Sequence, residues 1–294
     1  MKVLTFGSMN IDNVYSVPHI IQPGETLSSS GRNVFIGGKG LNQSIAMARA
    51  GLHVCHAGKV GTDGDILLET LKADGVDVSL IKKENALSGH TVIQVDADGQ
   101  NSIILYKGTN YMMTSDYIDE VLSGFGDGDM IVLQNEINLL DEILIKASAR
   151  GMTIVLNPSP FEAKLLSYTL DRVNIFVINE IEGAQISGIP AANPSGILSW
   201  FDRTYPDAEV ILTLGADGAW YSQCGSRTFC PAFKVTAVDT TSAGDTFSGY
   251  FLAGRAMGYS VDDALRLATK ASSITVSRPG AAPSIPRLEE VLAG

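Results

Sequence analysis

The sequence predicts an α/β fold: a doubly wound, mainly parallel sheet with helices on both faces and a small additional β-sheet. Three observations carry that expectation. Short apolar runs of strand length, "KVLTFGS", "DMIVLQ", "GMTIVLN", "VNIFVIN" and "AEVILTLG", recur along the chain, and strands buried on both faces read as such near-continuous runs. Helical patterns such as "NLLDEILIKASAR" lie between them, the alternation expected of a doubly wound sheet. Two extended, partly polar excursions interrupt the alternation and point to a sheet lying outside the main one.

Taken in order, "KVLTFGS" is a buried opening strand ended by Gly7 and Ser8. "NVYSVPHI" and "ETLSSSGRNVFI" follow as extended strands, before a helix at "LNQSIAMARA" that Gly51 stops in a left-handed cap. "TVIQVDADGQNSIILY" is a hairpin with Asp98-Gly99 in its turn. After it, Tyr111, Met112 and Met113 read as packing residues, since methionine commonly fills apolar gaps. The regular ladder then runs to two closing helices, around 244–257 and 261–277. No repeat, low-complexity tract or long linker divides the chain. The expectation is a single catalytic domain over 1–294, with a discontinuous β-sheet at 12–36 and 90–107 inserted in it.

Composition narrows the partners. The chain has 294 residues, 45% of them hydrophobic, enough for a substantial core, and its net charge of −11 argues against a nucleic-acid or membrane-surface binder. "MKVLTFGSMNID" is broken by Gly7, Ser8, Asn10 and Asp12 before a signal-peptide core can form, and no run approaches the roughly 18 apolar residues of a membrane span. A soluble cytoplasmic protein is expected. Cys55, Cys224 and Cys230 have neither CxxC spacing nor a neighbouring His/Asp pattern, so they read as structural thiols.

In open α/β sheets, ligands bind beyond the carboxyl ends of the strands. The polar residues that directly follow the apolar runs are therefore the candidates: Asn10 and Asp12, Gln134 and Glu136, Asn157, Asn179 and Glu182, Thr213 and Gly215. A second signal is "TTSAGDTFSGYFLAGRAMG", where small residues lead into a helical pattern with Phe247, Tyr250 and Phe251 on one side. Free amides and the helix dipole at such a start favour an anion. Asp245 there is placed as a general base, although an acid in the first turn of a helix also occurs simply to stabilise it.

"IGGKGLNQS" is a further glycine-rich entry to a helix. It is not a Walker A loop, because Lys39 is followed by Gly40, nor is it G-x-G-x-x-G. Its glycines let a ligand approach the backbone, and Asn42 offers both a donor and an acceptor to sugar hydroxyls. A tight turn alone would explain the glycines and leave Lys39 and Asn42 arbitrary.

"GSMNID", "GGKGLNQ", "LNPSP", "NEIE", "TLGADG" and "DTTSAGDTF" occur in that order over nearly the whole chain. In this the sequence resembles the ribokinase family of PfkB-type carbohydrate kinases, and its sugar kinases more than its distant nucleoside kinases. The resemblance implies a Rossmann-like α/β domain with a β-sheet lid. It implies a sugar site at Asn10, Asp12, Gly38, Lys39, Asn42 and Glu136, with Asp245 as the base and the amides of Ala243 and Gly244 as an anion hole. Asn179 and Glu182 would serve phosphate and hydrated Mg2+, and Thr213, Gly215 and Gly218 would lie along ATP. A K+ site would be held by oxygens of Asp239, Thr241, Thr275, Arg278, Gly280 and Ser284, Arg278 through its carbonyl. Ser242 departs from the Gly or Ala usual in the anion-hole motif, and Pro279 adds a ring beside the cation loop.

The implied function is ATP-dependent phosphorylation of a primary hydroxyl on a ribose-like sugar, by a homodimer paired through its lids. Another sugar or a nucleoside is the alternative acceptor. A sugar-responsive binding protein on the same scaffold is the alternative without catalysis, and retention of Asp245, Asn179 and Glu182 together argues against it. A nicotinamide dehydrogenase is disfavoured because the first strand leads into "GSMNID" and not into a dinucleotide fingerprint.

Overall fold

Alternation along the strands decides which face each residue takes. In β1 (Val3–Phe6), Val3 joins the core on one side of the sheet while Leu4 and Phe6 join the core on the other. In β8 (Met130–Gln134), Met130 and Val132 part from Ile131 and Leu133 in the same way. Strands apolar on both faces require helices on both. The computed structural model describes residues 1–293.

The main sheet has nine strands. β5 (Asp77–Lys83), β4 (Val54–Val60), β1, β8, β9 (Thr153–Asn157), β10 (Ile175–Asn179) and β11 (Glu209–Thr213) pair in parallel in that order. β12 (Gly218–Gln223) and β13 (Ser226–Pro231) extend it as an antiparallel edge. β1 is flanked by β4 on one side and β8 on the other. The strand order therefore reverses at β1, the place where such sheets open a crevice for ligands.

One face is covered by α1 (Lys39–Arg49), α2 (Asp65–Ala73), α7 (Ala243–Ala256), α8 (Val261–Val276) and α9 (Leu288–Ala293). The other carries α3 (Ser115–Leu122), α4 (Leu140–Ala149), α5 (Glu180–Ser187) and α6 (Pro194–Thr204). Phe247, Tyr250 and Phe251 are all buried, and Gly51, at φ +100°, ends α1 as expected. The three cysteines are free.

A separate four-stranded sheet has the order β3 (Gly31–Gly37), β2 (Asn10–Ser16), β6 (Gly89–Val95), β7 (Asn101–Tyr106). β2 and β6 run parallel and the other pairs antiparallel. Two strands are shorter than the sequence suggests. β2 stops at Ser16, short of Pro18, which has no N–H to donate to a ladder. β3 begins only at Gly31, opposite Ser16, because "ETLSSS" has no strand left to pair with. β4, β5, β12 and β13 were not anticipated. Of the proposed packing residues, Met113 is buried, whereas Met112 is 39% exposed.

Candidate active site

The crevice at β1 is lined by the turn from β1 into β2, the end of β8 and the N-termini of α1 and α7. Asp245, the third residue of α7, is 6% exposed. Its Oδ2 accepts from Asn42 Nδ2 at 3.1 Å and its Oδ1 from Gln43 Nε2 at 3.0 Å. Gln43 Oε1 in turn accepts from Gln134 Nε2 at 2.7 Å. These amides keep the carboxylate oriented without supplying it a proton. Asn42 Oδ1 is buried with no protein partner. A buried acceptor of that kind calls for a donor such as a hydroxyl.

Glu136, just past β8, accepts from the Lys39 amide at 3.0 Å and from the Ser8 hydroxyl. Gly40 is required for this approach, because a Cβ there would lie 2.6 Å from Ser8 N and 2.7 Å from Gly7 Cα. Burial pushes the Glu136 carboxyl above its ordinary value, against the pull of Lys39. Burial would lower Lys39, but the charges of Asp245, Glu136 and Glu182 outweigh it and hold the ammonium above the usual lysine value. A cation thus stands among three carboxylates.

Asn10 Oδ1 accepts from Asn110 Nδ2 at 2.8 Å, and Asn110 is itself fixed by the Met9 backbone. Asp12, two residues along β2 on the same face, accepts from the Thr91 hydroxyl at 2.6 Å, and burial raises its pKa despite that bond. Asn10, Asn110, Asn135 and Glu136 line a cavity of about 30 Å³. Of the predicted sugar residues, Asn10 and Glu136 line this cavity, Lys39 is joined to it through Glu136, and Asn42 is bonded to Asp245.

Beyond the N-terminus of α7 lies a larger cleft of about 400 Å³. Thr213, Gly215, Gly218, Ala243 and Gly244 line it, as do Phe233, Val235 and Phe247. α7 starts without a side-chain cap. The Ala243 amide reaches the Thr240 carbonyl at 3.3 Å, leaving the following first-turn amides to face the cleft. Asn179 and Glu182 form a reciprocal capping box on α5, with Glu182 N donating to Asn179 Oδ1 at 2.8 Å and Asn179 N to Glu182 Oε2 at 3.1 Å. Their local role is therefore structural, yet the Glu182 charge is felt at Lys39.

The tail loop is drawn to the α7 turn by Asp239, whose carboxylate accepts from the amides of Thr241 and Gly280, each at 2.9 Å. Those bonds overcome burial and lower its pKa. Arg278 sends its guanidinium to Glu290, leaving only its carbonyl for the loop. Thr275 and Ser284 are buried nearby in the sequence of the tail. Among the described residues no group of three or more His, Cys, Asp or Glu side chains could hold a metal. The oxygen-rich turn suits a hard cation, and Glu182, with one carboxylate oxygen outside the capping box, suits a hydrated one.

The description "pfkB family carbohydrate kinase" matches residues 1–288. The chain belongs to the pfkB family of carbohydrate kinases. This kinase is 38% identical over 302 residues to the ribokinase of Staphylococcus aureus (strain COL), covering 99% of this chain and 98% of that one. It is 34% identical to the ribokinase of Bacillus subtilis (strain 168), covering 99% and 98%. Among solved structures, ribokinase from Cryptococcus neoformans var. grubii serotype A in complex with ADP superposes with a TM-score of 0.87 at 33% identity, covering 99% of each chain. Arabidopsis thaliana ribokinase complexed with ribose and ATP gives 0.87 at 28% identity, covering 99% of this chain and 97% of that one.

Several residues of the kinase's site carry roles that the motifs do not assign, although Gln134 is one of the strand-end candidates. Gln43 lies inside "GGKGLNQ" and Gln134 ends a strand, but their joint hold on Asp245 spans 202 and 91 residues of sequence. Ser8 and Asn110 likewise act through partners remote in the chain. The α8 wall of the cleft, Thr269, Ser272, Ser273 and Val276, falls at positions i, i+3, i+4 and i+7. That spacing marks one helix face and was open to being read. Among the described residues no helix is long and apolar enough to cross a membrane.

Proposed function

We propose that this kinase transfers the γ-phosphoryl group of ATP to the primary hydroxyl of D-ribose, yielding ribose 5-phosphate, in the cytoplasm. The observation that carries the reading is the position of Asp245: buried in the first turn of α7, directly after the Ala243 and Gly244 that line the larger cleft, with its carboxylate held by Asn42 and Gln43 of α1. The full-length likeness to ribokinases supports the choice of acceptor.

Asn10, Asp12, Lys39, Asn42 and Glu136 hold the sugar hydroxyls, and Gly38 lets the sugar approach the backbone. Asp245 takes the proton of the attacking hydroxyl, held at its station by Asn42 and Gln43. The Gly244 amide, with that of Ala243 exchanging its 3.3 Å bond to Thr240 for the phosphoryl oxygen, stabilises charge on the transferring group, and Lys39 adds a positive field. Thr213, Gly215 and Gly218 flank the nucleotide. Asn179 and Glu182 would hold hydrated Mg2+, which would supply positive charge to offset the phosphates. Oxygens of Asp239, Thr241, Thr275, Arg278, Gly280 and Ser284 would hold K+, which would add positive charge beside the turn that leads into α7. The discontinuous sheet spanning 12–36 and 90–107 closes over the sugar as a lid, excluding water that would otherwise accept the phosphoryl group, and pairs with that of a second copy.

Asp245→Asn keeps the side chain's size and removes the base. Sugar-dependent ADP release falls by about 10²- to 10⁴-fold, the range for loss of a general base. Near-normal turnover refutes the assignment. A panel of ribose, 2-deoxyribose, fructose and adenosine in the same assay fixes the acceptor, and tight sugar binding without product under any nucleotide would favour the binding-protein alternative.

A further inference from the structure

Resting on that reading and going beyond it, we propose that Lys107 and Glu162 form a crossbar at the far end of the sugar cavity that sets acceptor length, admitting a free pentose and rejecting one substituted at its anomeric carbon. Asp245 fixes the end at which the reacting hydroxyl lies. From there the contacts run through Asn42 and Lys39 to Glu136, which also lines the small cavity with Asn10, Asn110 and Asn135. With Asn10 and Glu136 among the sugar's holders, the opposite end of the sugar would face that cavity. At about 30 Å³ it has room for a hydroxyl or a water but not for a base or an aglycone.

Lys107 and Glu162 line this cavity too, beside Leu105 and Pro160. Lys107 directly follows β7, at the root of the small sheet, and Glu162 stands on the segment after β9, on the main body. Lys107 Nζ lies 3.1 Å from Glu162 Oε1 and donates to the Tyr111 hydroxyl at 2.6 Å, with the Tyr111 ring centroid 4.0 Å away. Two contacts with Tyr111 thus hold the ammonium in place, and the third, to Glu162, spans the cavity end. The two side chains are 41% and 48% exposed, and half-exposed pairs are weak. The crossbar is therefore cheap to break, and an acceptor that fits beneath it leaves it closed. A group on the anomeric carbon displaces it and leaves both charges unpaired beside the substrate.

The test compares D-ribose with methyl β-D-ribofuranoside, which keeps the primary hydroxyl and blocks the anomeric position. The wild type uses ribose and discriminates against the riboside by about 10²-fold in kcat/KM, the scale of a steric pocket. Lys107→Ala and Glu162→Ala each raise the riboside-to-ribose ratio by about tenfold or more, and their residual ribose turnover reports that the chain has folded. A ratio unchanged within about twofold in both variants overturns the proposal, as does a wild type that uses both acceptors equally. A wild type that phosphorylates another acceptor but no ribose sinks the ribose reading itself, a result distinguishable from failure of the crossbar.

Discussion

Ser242 is where the chain parts from the small residue usual in its anion-hole motif, and the structure gives the departure a physical cost. It sits at φ +62°, in the left-handed region, immediately before α7. Its hydroxyl does not cap the helix and is buried without a partner. Glycine takes this conformation freely. Ser242→Gly removes about 1–2 kcal/mol of left-handed strain, regains part of a desolvation penalty of about 1–3 kcal/mol and gives back about 0.4–1 kcal/mol through the freer unfolded chain. The balance is stabilising by about 1–2 kcal/mol, and the thermal midpoint of the ligand-free protein rises by a few degrees; a lower midpoint refutes the account. Residues differ in how far sequence exposes them. Asp245, Lys39 and Asn42 stand in short motifs, whereas the duties of Gln43 and Gln134 depend on a partner brought in by the fold.

At the scale of elements, the site depends on how closely α1 and α7 approach. α1 carries Asn42 and Gln43, α7 carries Asp245, and Gly249 lies at their contact. A Cβ at Gly249 would come 2.4 Å from Ala46 Cβ and 2.9 Å from Met47 N. Gly249→Ala therefore drives the helices apart, costing about 1–3 kcal/mol as overpacking. The same displacement moves the amides off Asp245, and shifts near 1 Å at a reacting centre cost about 10²-fold. Urea unfolding and kcat for ribose are both expected to fall, and a variant with wild-type values for both defeats the argument. The helices were legible from their apolar periodicity and the buried parallel strands from their runs. β4 was missed because "VCHAGKV" spends a histidine and a lysine on buried contacts: Ser44 Oγ meets His56 Nδ1 at 2.8 Å, and Lys59 pairs with Glu84 at 2.6 Å. β5 and the β12–β13 edge lack the continuous apolar run of strands covered on both faces.

At the scale of the whole molecule, the sequence showed that a second sheet exists but not what its outer face meets. β7 is an edge strand of that sheet, and four consecutive residues on it, Ile103, Ile104, Leu105 and Tyr106, are 56%, 63%, 41% and 52% exposed. Successive strand residues point to opposite faces, so both faces of this edge are apolar and open. Natural proteins cover or charge such edges, and β7 has no charged residue of its own. A second copy, meeting the first about a two-fold axis, would cover the same surface on both chains at once. Light scattering at micromolar concentration is expected to give a dimer. Ile104→Lys, which places a charge in the middle of the patch, shifts it to monomer, because lysine on an edge opposes pairing. A wild-type monomer at that concentration refutes pairing through this sheet. A variant that remains fully dimeric moves the contact to another surface.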